Sequence, residues 1–557
     1  MQSETLVRAR KHGEVFTRRW VVDLILDLAG YTADRDLAAM RAVEPSCGSG
    51  AFLVAMVERL NQSCQAFGRP IASAWSAIQA TDVLPDNVDS SIAAVTETLI
   101  GFGLSRKQAS ALAGSWVSQS DYLLSQPDYN SLFGSLQAPS ADFVIGNPPY
   151  IRPEDVPGSL IEAYRSAWPT MLGRADVYVG FFEAALRSLR PGGVVAFICA
   201  DRWMRNQYGR GLRGLISEQF AVELIFPTHD IDAFESDVSA YPAIVTLRRG
   251  PQGPVILAEA DASFSTDDAA GLRQWIASEC ATLVTPAVTA TRLRDWQGGE
   301  ASWPGGDPEM VAIIEQLNTR FNPLENTHTG TRVGIGIATG ADEVFVTNNA
   351  ELVEHDRLLP LTMSRDGLTG EVTWGGMYLV NPWNEDGSLV ELNQFPRLAA
   401  YFNTHGVALR NRHVAGKSPA KWYRTIDKVD HALTARPKLL FPDMKMTTHP
   451  VLEHGGLYPH HNLYFVVSDK WDLKVLGGLL LSKVAEAFVS AYCVKMRGGT
   501  LRFQAQYLRR IRLPEPDALT VQDQADLMEA FDRRDATAAT EVALRLYGIE
   551  EHRARFI

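Results

Sequence analysis

The 557-residue sequence predicts an α/β fold: a mostly parallel sheet with helices on both faces, followed by a C-terminal domain of mixed α+β type. Three observations predict it. Between about residues 40 and 250, short apolar runs alternate with amphipathic stretches of helix length, the pattern of parallel strands joined by crossover helices. Every unusual loop in that half falls at the carboxyl end of a predicted strand, where such sheets bind ligands. From "RVGIGIATGADEVFV" onward the alternation stops, and Gly, Pro and aromatic residues become frequent up to a helical tail near 520–548.

The elements follow in order. "MRAVEP" (40–45) is a short buried strand, then a glycine turn, then the helical "SGAFLVAMVERLNQSCQAF". "SAIQATD" (76–82) is a second strand, followed by a helix from about 85 to 101. "SWVSQSD" (115–121) and "ADFVIG" (141–146) are the third and fourth strands. "VYVGFFEAALRSLRPGG" reads as an amphipathic helix closed by Pro-Gly-Gly, and "VVAFICA" (194–200) as the fifth strand. "FAVELIF" (220–226) and "YPAIVTLRR" (241–249) add two more. Between 251 and 330, "PQGP" and "WQGGEASWPGGDP" make the pattern loose, which predicts a connecting region. The expected organisation is therefore 1–250, a connector at 251–330, and a second domain at 331–557.

Composition narrows the class. With 46% hydrophobic and 21% charged residues, the chain can bury a sizeable core. Cys47, Cys64, Cys199, Cys280 and Cys493 are odd in number and form no C-x-x-C pair, which speaks against a disulfide framework or a zinc ribbon. No metal site is expected. The start, "MQSETLVRARKHGEVF", is polar, and no apolar run approaches bilayer length, so a cytoplasmic protein without a membrane partner is expected. Net charge is −12, but residues 401–512 hold 18 Lys and Arg against 7 Asp and Glu. That window carries +11 and the remainder −23. Such asymmetry predicts one polyanion-binding face.

The loop "VEPSCGSGAF" (43–52) follows the first strand and opens a helix. Gly48 and Gly50 let a ligand approach the backbone, and the helix start offers free N–H groups. Asp82 ends the second strand, where a carboxylate can take ribose hydroxyls. Asp121 and Tyr122 end the third, where an acceptor and a ring can hold an adenine. Dinucleotide folds cradle a pyrophosphate with G-x-G-x-x-G, and P-loops add a lysine. Here Glu44 stands at the loop entrance and no lysine lies within it. A carboxylate suits a cationic ligand, and S-adenosylmethionine (SAM) carries an ammonium, a sulfonium and no phosphate.

The fourth strand ends in "GNPPYIRP". Two adjacent prolines lack N–H groups and lock φ, so the strand stops and a stiff loop presents an amide and a ring. Taken together, the glycine loop, its acidic partners and Asn147-Pro148-Pro149-Tyr150 resemble the N6-adenine DNA methyltransferases of the gamma, or TaqI-like, group. The resemblance covers most of 13–249 and continues more diffusely through "GIGIATGADEVFV", "KLLFPDM" and "GGTLRFQAQYLRRIRLP". It implies a Rossmann-like SAM-dependent methyltransferase sheet with a target-recognition domain behind it. It also implies cofactor contacts from Phe16, Thr17, Glu44, Pro45, Cys47, Gly48, Gly50, Asp82, Asp121, Tyr122 and Asn147. The usual Thr-Pro of the opening segment is Thr17-Arg18 here. Asp176 would touch the cofactor side. Tyr150 would stack on the target base, with Phe234, or alternatively Tyr241, as the second ring.

The chemistry accounts for the tetrapeptide. A base inside a duplex must be flipped into a pocket before it can react. Its amino lone pair is delocalised. The Asn147 side-chain oxygen and the Pro148 carbonyl would accept both N–H bonds and draw that nitrogen toward sp³. Pro148 and Pro149 would fix this geometry in advance.

In the second domain, "KMRGGTLRFQAQYLRRIRL" interleaves basic residues with amides and aromatics. Arg497, Arg502, Arg509, Arg510 and Arg512 are candidates for phosphates, Gln504 and Gln506 for adenine edges, Arg502 for a guanine, and Lys445 for DNA more generally. Duplex DNA is the expected partner, and a monomer would suffice. N4-cytosine methylation, an RNA or protein-glutamine substrate, and a non-catalytic specificity subunit stay open as alternatives. Only a dozen residues precede the pattern, so no fused nuclease is expected. A separate restriction endonuclease acting on the same site would be a genetic partner, and a phage-defence role without one is equally open.

Overall fold

The computed structural model describes residues 15–126, 140–235, 241–296, 298–367, 370–493 and 500–554. Contacts divide the chain into two units, Met1–Ala312 and Ile313–Ile557.

Apolar strands flanked by helices build the first unit. Its strands are β1 (Ala42–Glu44), β2 (Ile78–Asp82), β3 (Val117–Gln119), β4 (Ala141–Gly146), β5 (Leu189–Ala200), β6 (Ala221–Pro227), β7 (Pro242–Arg248), β8 (Val255–Ala260), β9 (Thr282–Val284) and β10 (Val288–Leu293). They form one sheet in the order 3-2-1-4-5-7-6-8-10-9. Strands β3, β2, β1, β4 and β5 run parallel, and β7 is antiparallel to both β5 and β6. The helices of ten residues or more are α1 (Arg19–Leu28), α2 (Ala51–Ala66), α3 (Pro85–Gly101), α4 (Arg106–Trp116), α5 (Gly158–Ala167), α6 (Tyr178–Ser188), α7 (Arg210–Gln219) and α8 (Thr266–Ile276).

Both faces of the sheet are covered, and side-chain alternation shows it. Phe143, Ile145, Val194, Ala196 and Ile198 join one core with α1 to α4 and α8. Their neighbours Val144, Val195, Phe197 and Cys199 join another with α5 to α7. Period two sends successive residues to opposite faces, so an all-apolar strand needs helices on both. Each fully buried aliphatic side chain contributes about 1.5–3 kcal/mol.

Two expectations are corrected. The segment 251–330 is not a bare connector, because β8, β9 and β10 extend the sheet. "VILAEA" and "VTATRL" are β-prone, and they pair antiparallel with each other while β8 runs parallel to β6. Pro-Gly-Gly does not form a turn of its own after α6. The helix ends at Ser188, and Pro191 to Gly193 fall inside β5, where the pairing with β4 slips register between Ala141 and Phe143.

Among its described residues the second unit holds two four-stranded sheets and two short two-stranded pairings. The strands of the larger sheets are β11 (Arg332–Ile335), β12 (Val346–Thr347), β13 (Leu358–Thr362), β14 (Met377–Val380), β15 (Lys438–Pro442), β16 (Val451–Glu453), β17 (Tyr458–Pro459) and β18 (Leu463–Val467). One sheet has the order β11-β18-β15-β16, the other β12-β14-β13-β17. Helices Val521–Arg533 and Ala536–Tyr547 form the tail. Among the described residues no single helix is long and apolar enough to cross a membrane.

Candidate active site

Strand order reverses between β1 and β4, which places the loops after these two strands side by side at the carboxyl edge. A cavity opens there. Phe16, Thr17, Glu44, Pro45, Cys47, Gly48, Asp82, Asp121, Tyr122, Asn147 and Pro149 all line it. Of the residues expected at the cofactor, Gly50 stands back from the cavity and caps α2 instead.

The glycine loop is held from several sides. Cys47 N–H donates to the Thr81 carbonyl at 2.9 Å, and Thr81 Oγ1 donates to the Pro45 carbonyl at 3.0 Å. Asp82 Oδ2 accepts from Gly48 N–H at 3.0 Å, and Oδ1 from Leu84 N–H and Asn87 Nδ2 at 2.9 and 3.2 Å. Ser91 Oγ donates to the Gly48 carbonyl at 2.9 Å. Asn87 and Ser91, both on α3, carry no motif and could not be singled out in the sequence.

Glu44 is buried, and one of its carboxylate oxygens has no partner among the described residues. Burial, with the Asp82 charge behind it, pushes the Glu44 carboxyl well above its usual range. Burial likewise raises the Cys47 thiol, helped by Glu44, so this cysteine is an inert wall. At the far end, Asp121 Oδ2 accepts from the Tyr164 hydroxyl at 2.7 Å, and Oδ1 from Leu123 N–H at 2.9 Å. Tyr122 is buried and stacks on Phe181, ring centroids 5.5 Å apart. Tyr164 and Phe181 also line the cavity, and only the packing of α5 and α6 reveals them.

The Asn-Pro-Pro-Tyr loop is tied directly to the glycine loop: Ser46 Oγ donates to the Asn147 carbonyl at 3.0 Å. Asn147 Nδ2 donates to the Val15 carbonyl at 3.0 Å and to Thr17 Oγ1 at 3.3 Å. This leaves Asn147 Oδ1 buried with no partner among the described residues. Pro148 is buried, while Tyr150 is half-buried with its hydroxyl 3.4 Å from the Ile198 carbonyl.

Phe234 is placed differently from its expected stacking role. It pairs with Thr17 across a short antiparallel bridge and is only 7% exposed, packed in the core. Tyr241 is 38% exposed, and its ring meets His229 at 5.0 Å. His229 Nε2 lies 3.0 Å from Asp201 Oδ2. Asp176 lies outside the cavity lining, beside the Tyr208 hydroxyl at 3.5 Å.

In the second unit several candidate DNA contacts already have partners. Arg502 pairs with Asp443, and Arg509 pairs with Glu325 at 3.0 Å while donating to the Val333 carbonyl at 2.7 Å. Gln506 Nε2 donates to Gln504 Oε1 at 3.2 Å. Lys445 lies in a two-residue strand, Met444–Lys445, paired with Leu501–Arg502. Arg512 donates to Asn318, and Arg510 stacks on Tyr492. Both arginines are partly exposed. Arg497 lies outside the described residues.

Comparison with known proteins agrees with this geometry. The family described as Eco57I restriction-modification methylase matches residues 115–234. The chain is 44% identical over 545 residues to the Type II methyltransferase M.PaeR7I of Pseudomonas aeruginosa, covering 96% of this chain and 92% of that one. It is 39% identical over 555 residues to the Type II methyltransferase M.XhoI of Xanthomonas vasicola, covering 97% and 98%. Among solved structures, the Type IIL restriction-modification enzyme MmeI in complex with DNA aligns with 100% of this chain and 77% of its own at a TM-score of 0.52 and 10% identity, a likeness of fold. With full-length identities of this size, a cavity at the strand-order reversal and an intact Asn-Pro-Pro-Tyr loop beside it, the chain belongs to the Type II methyltransferases of restriction–modification systems.

Proposed function

We propose that this methyltransferase transfers a methyl group from SAM to the N6 amino nitrogen of an adenine flipped out of duplex DNA. The observation that carries the reading is the Asn147 side chain, whose nitrogen is anchored while its oxygen is buried and unpaired. A buried acceptor without a donor costs about 1–3 kcal/mol, and a substrate N–H that reaches it recovers that cost. An exocyclic amino group brings two N–H donors. Asn147 Oδ1 takes one and the Pro148 carbonyl the other, which turns the nitrogen lone pair toward the methyl group. The bonds from Asn147 to Val15 and Thr17, and from Ser46 to the Asn147 backbone, hold this arrangement before substrate arrives. No strong base is required, because the amino proton becomes acidic once the nitrogen carries the methyl.

The cavity suits SAM. Among the described residues its lining contains no lysine or arginine for a phosphate, and the unpaired Glu44 oxygen suits an ammonium. When bound, SAM supplies a methyl group on a positively charged sulfur. Asp82 retains acceptor capacity for ribose hydroxyls, and Asp121 faces the adenine end. Tyr150 stacks on the flipped base, and Tyr241, the exposed one of the two candidate rings, faces it from the other side. The basic window 401–512 supplies the DNA-binding surface, with Lys445, Arg502 and Arg509 as its proposed contacts. A single chain then carries both catalysis and recognition, and a separate endonuclease cutting the same site is the implied genetic partner.

The test is transfer of labelled methyl from SAM to unmethylated DNA, with nucleoside analysis of the product. N6-methyladenine should form, and Asn147→Ala should lower its rate by about 10²–10³, the usual cost of removing one pre-positioned polar group. Label on cytosine N4 would overturn the base assignment. Bound SAM without transfer to DNA would overturn the substrate.

A further inference from the structure

The methyl-transfer chemistry makes no use of a cluster in the second unit, and the sequence hides it because its members lie 118 residues apart. Asp342 opens the short helix Asp342–Phe345, while His460 and His461 directly follow β17. We infer that Asp342, His460 and His461 form a binding site for a divalent transition-metal ion, zinc in the first instance. The three side chains bring one ligand atom each to within 4.8 Å of one another.

The geometry favours an ion over a simple ion pair. His460 Nε2 lies 3.0 Å from Asp342 Oδ2, within hydrogen-bond reach. His461 Nδ1 lies 4.0 Å from the same oxygen, which is beyond it, and that nitrogen is buried with no partner among the described residues. Two imidazoles converge on one carboxylate oxygen, yet only one bonds to it. Around a four-coordinate zinc with bonds of about 2.0–2.1 Å, neighbouring ligand atoms sit about 3.3 Å apart. The distances of 3.0 and 4.0 Å lie on either side of that value, and all three ligand atoms lie within 4.8 Å of one another, so an ion between them would draw His461 inward.

The surroundings hold the ligands in place. Thr339 Oγ1 donates to Asp342 Oδ1, which leaves Oδ2 for the ion. His460 N–H bonds to the Thr362 carbonyl and His461 N–H to the Ile337 carbonyl, both at 3.1 Å. Two nitrogens and one oxygen, without a thiolate, suit zinc, cobalt or nickel. The side chains of His461 and Asp342 are 39% and 44% exposed, so water can complete the coordination. A bound ion would pin two distant chain segments together and stabilise the second unit.

The experiment uses the full chain without a polyhistidine tag, stripped by a chelator and titrated with zinc by calorimetry and with cobalt by visible absorption. One saturable equivalent is expected, with a higher melting temperature for the zinc-loaded chain. His461→Ala and Asp342→Asn, both at partly exposed positions, should weaken binding at least tenfold and abolish the thermal shift, with circular dichroism unchanged. Absence of a saturable equivalent, or equal affinity in these two variants and the parent, would overturn the site. His460 is buried, so its own replacement is not the deciding variant.

Discussion

Single alanines at the two glycines of the first loop should separate folding from binding. Gly50 has φ +97° and caps α2, outside the region L-residues enter easily. An alanine there costs about 2 kcal/mol of backbone strain. Its Cβ would also lie 3.2 Å from Ser91 Oγ and 3.5 Å from Ser91 Cα. That hydroxyl cannot swing away without giving up its bond to the Gly48 carbonyl, worth about 1 kcal/mol. The total is about 3 kcal/mol, and at about 2 °C per kcal/mol for a unit of this size the melting temperature should fall by about 6 °C. Gly48 behaves differently. Its φ is +52°, in the left-handed basin, and an added Cβ meets nothing within 4 Å, so alanine costs only about 1 kcal/mol of stability. That empty space is the cavity itself, and the methyl would intrude on bound SAM. Gly48→Ala should weaken SAM binding about tenfold while melting within about 2 °C of the parent. Thermal unfolding of the full chain and equilibrium dialysis with labelled SAM read the two effects. A Gly50→Ala chain as stable as the parent, or a Gly48→Ala chain with undiminished SAM affinity, would refute this account of the loop.

Three further outcomes are expected. Lys438 and Glu453 form an ion pair, 0% and 3% exposed, across β15 and β16, so Lys438→Met should destabilise by about 3–5 kcal/mol and added Glu453→Leu should restore most of it in urea melts. For Asp201, burial alone would raise the carboxyl, but Arg205 and His229 outweigh it and bring it from 3.8 down to about 2. Its stabilising contribution is therefore present above about pH 4 and lost as pH falls toward 2, so Asp201→Asn should cost about 2 kcal/mol at pH 7 and much less at pH 2.5. Tyr150→Phe should transfer methyl at nearly the parental rate, because its hydroxyl makes one long bond, whereas Tyr150→Ala should lose about ten- to a hundredfold with the base stack.

The order of elements in the first unit and the identity of its working loops follow from local residue patterns alone. The Pro85–Gly101 helix was legible end to end, and so was the placement of Gly48, Asp82, Asp121 and Asn147 after successive strands, because apolar runs, prolines and glycines act locally. The sequence could not show that 255–293 completes the sheet, since short β-prone runs between glycine and proline look alike in a connector and in an edge strand. Nor could it show that Phe234 turns inward against Thr17 while Tyr241 stays exposed, because which ring is buried depends on a partner more than 200 residues away in sequence. The same holds for Arg502 beside Asp443 and for His460 and His461 beside Asp342. Local chemistry written in the chain chose the loops. Tertiary packing alone decided which charges meet, which rings stay exposed, and which buried oxygens, those of Asn147 and Glu44 among them, lack a donor among the described residues.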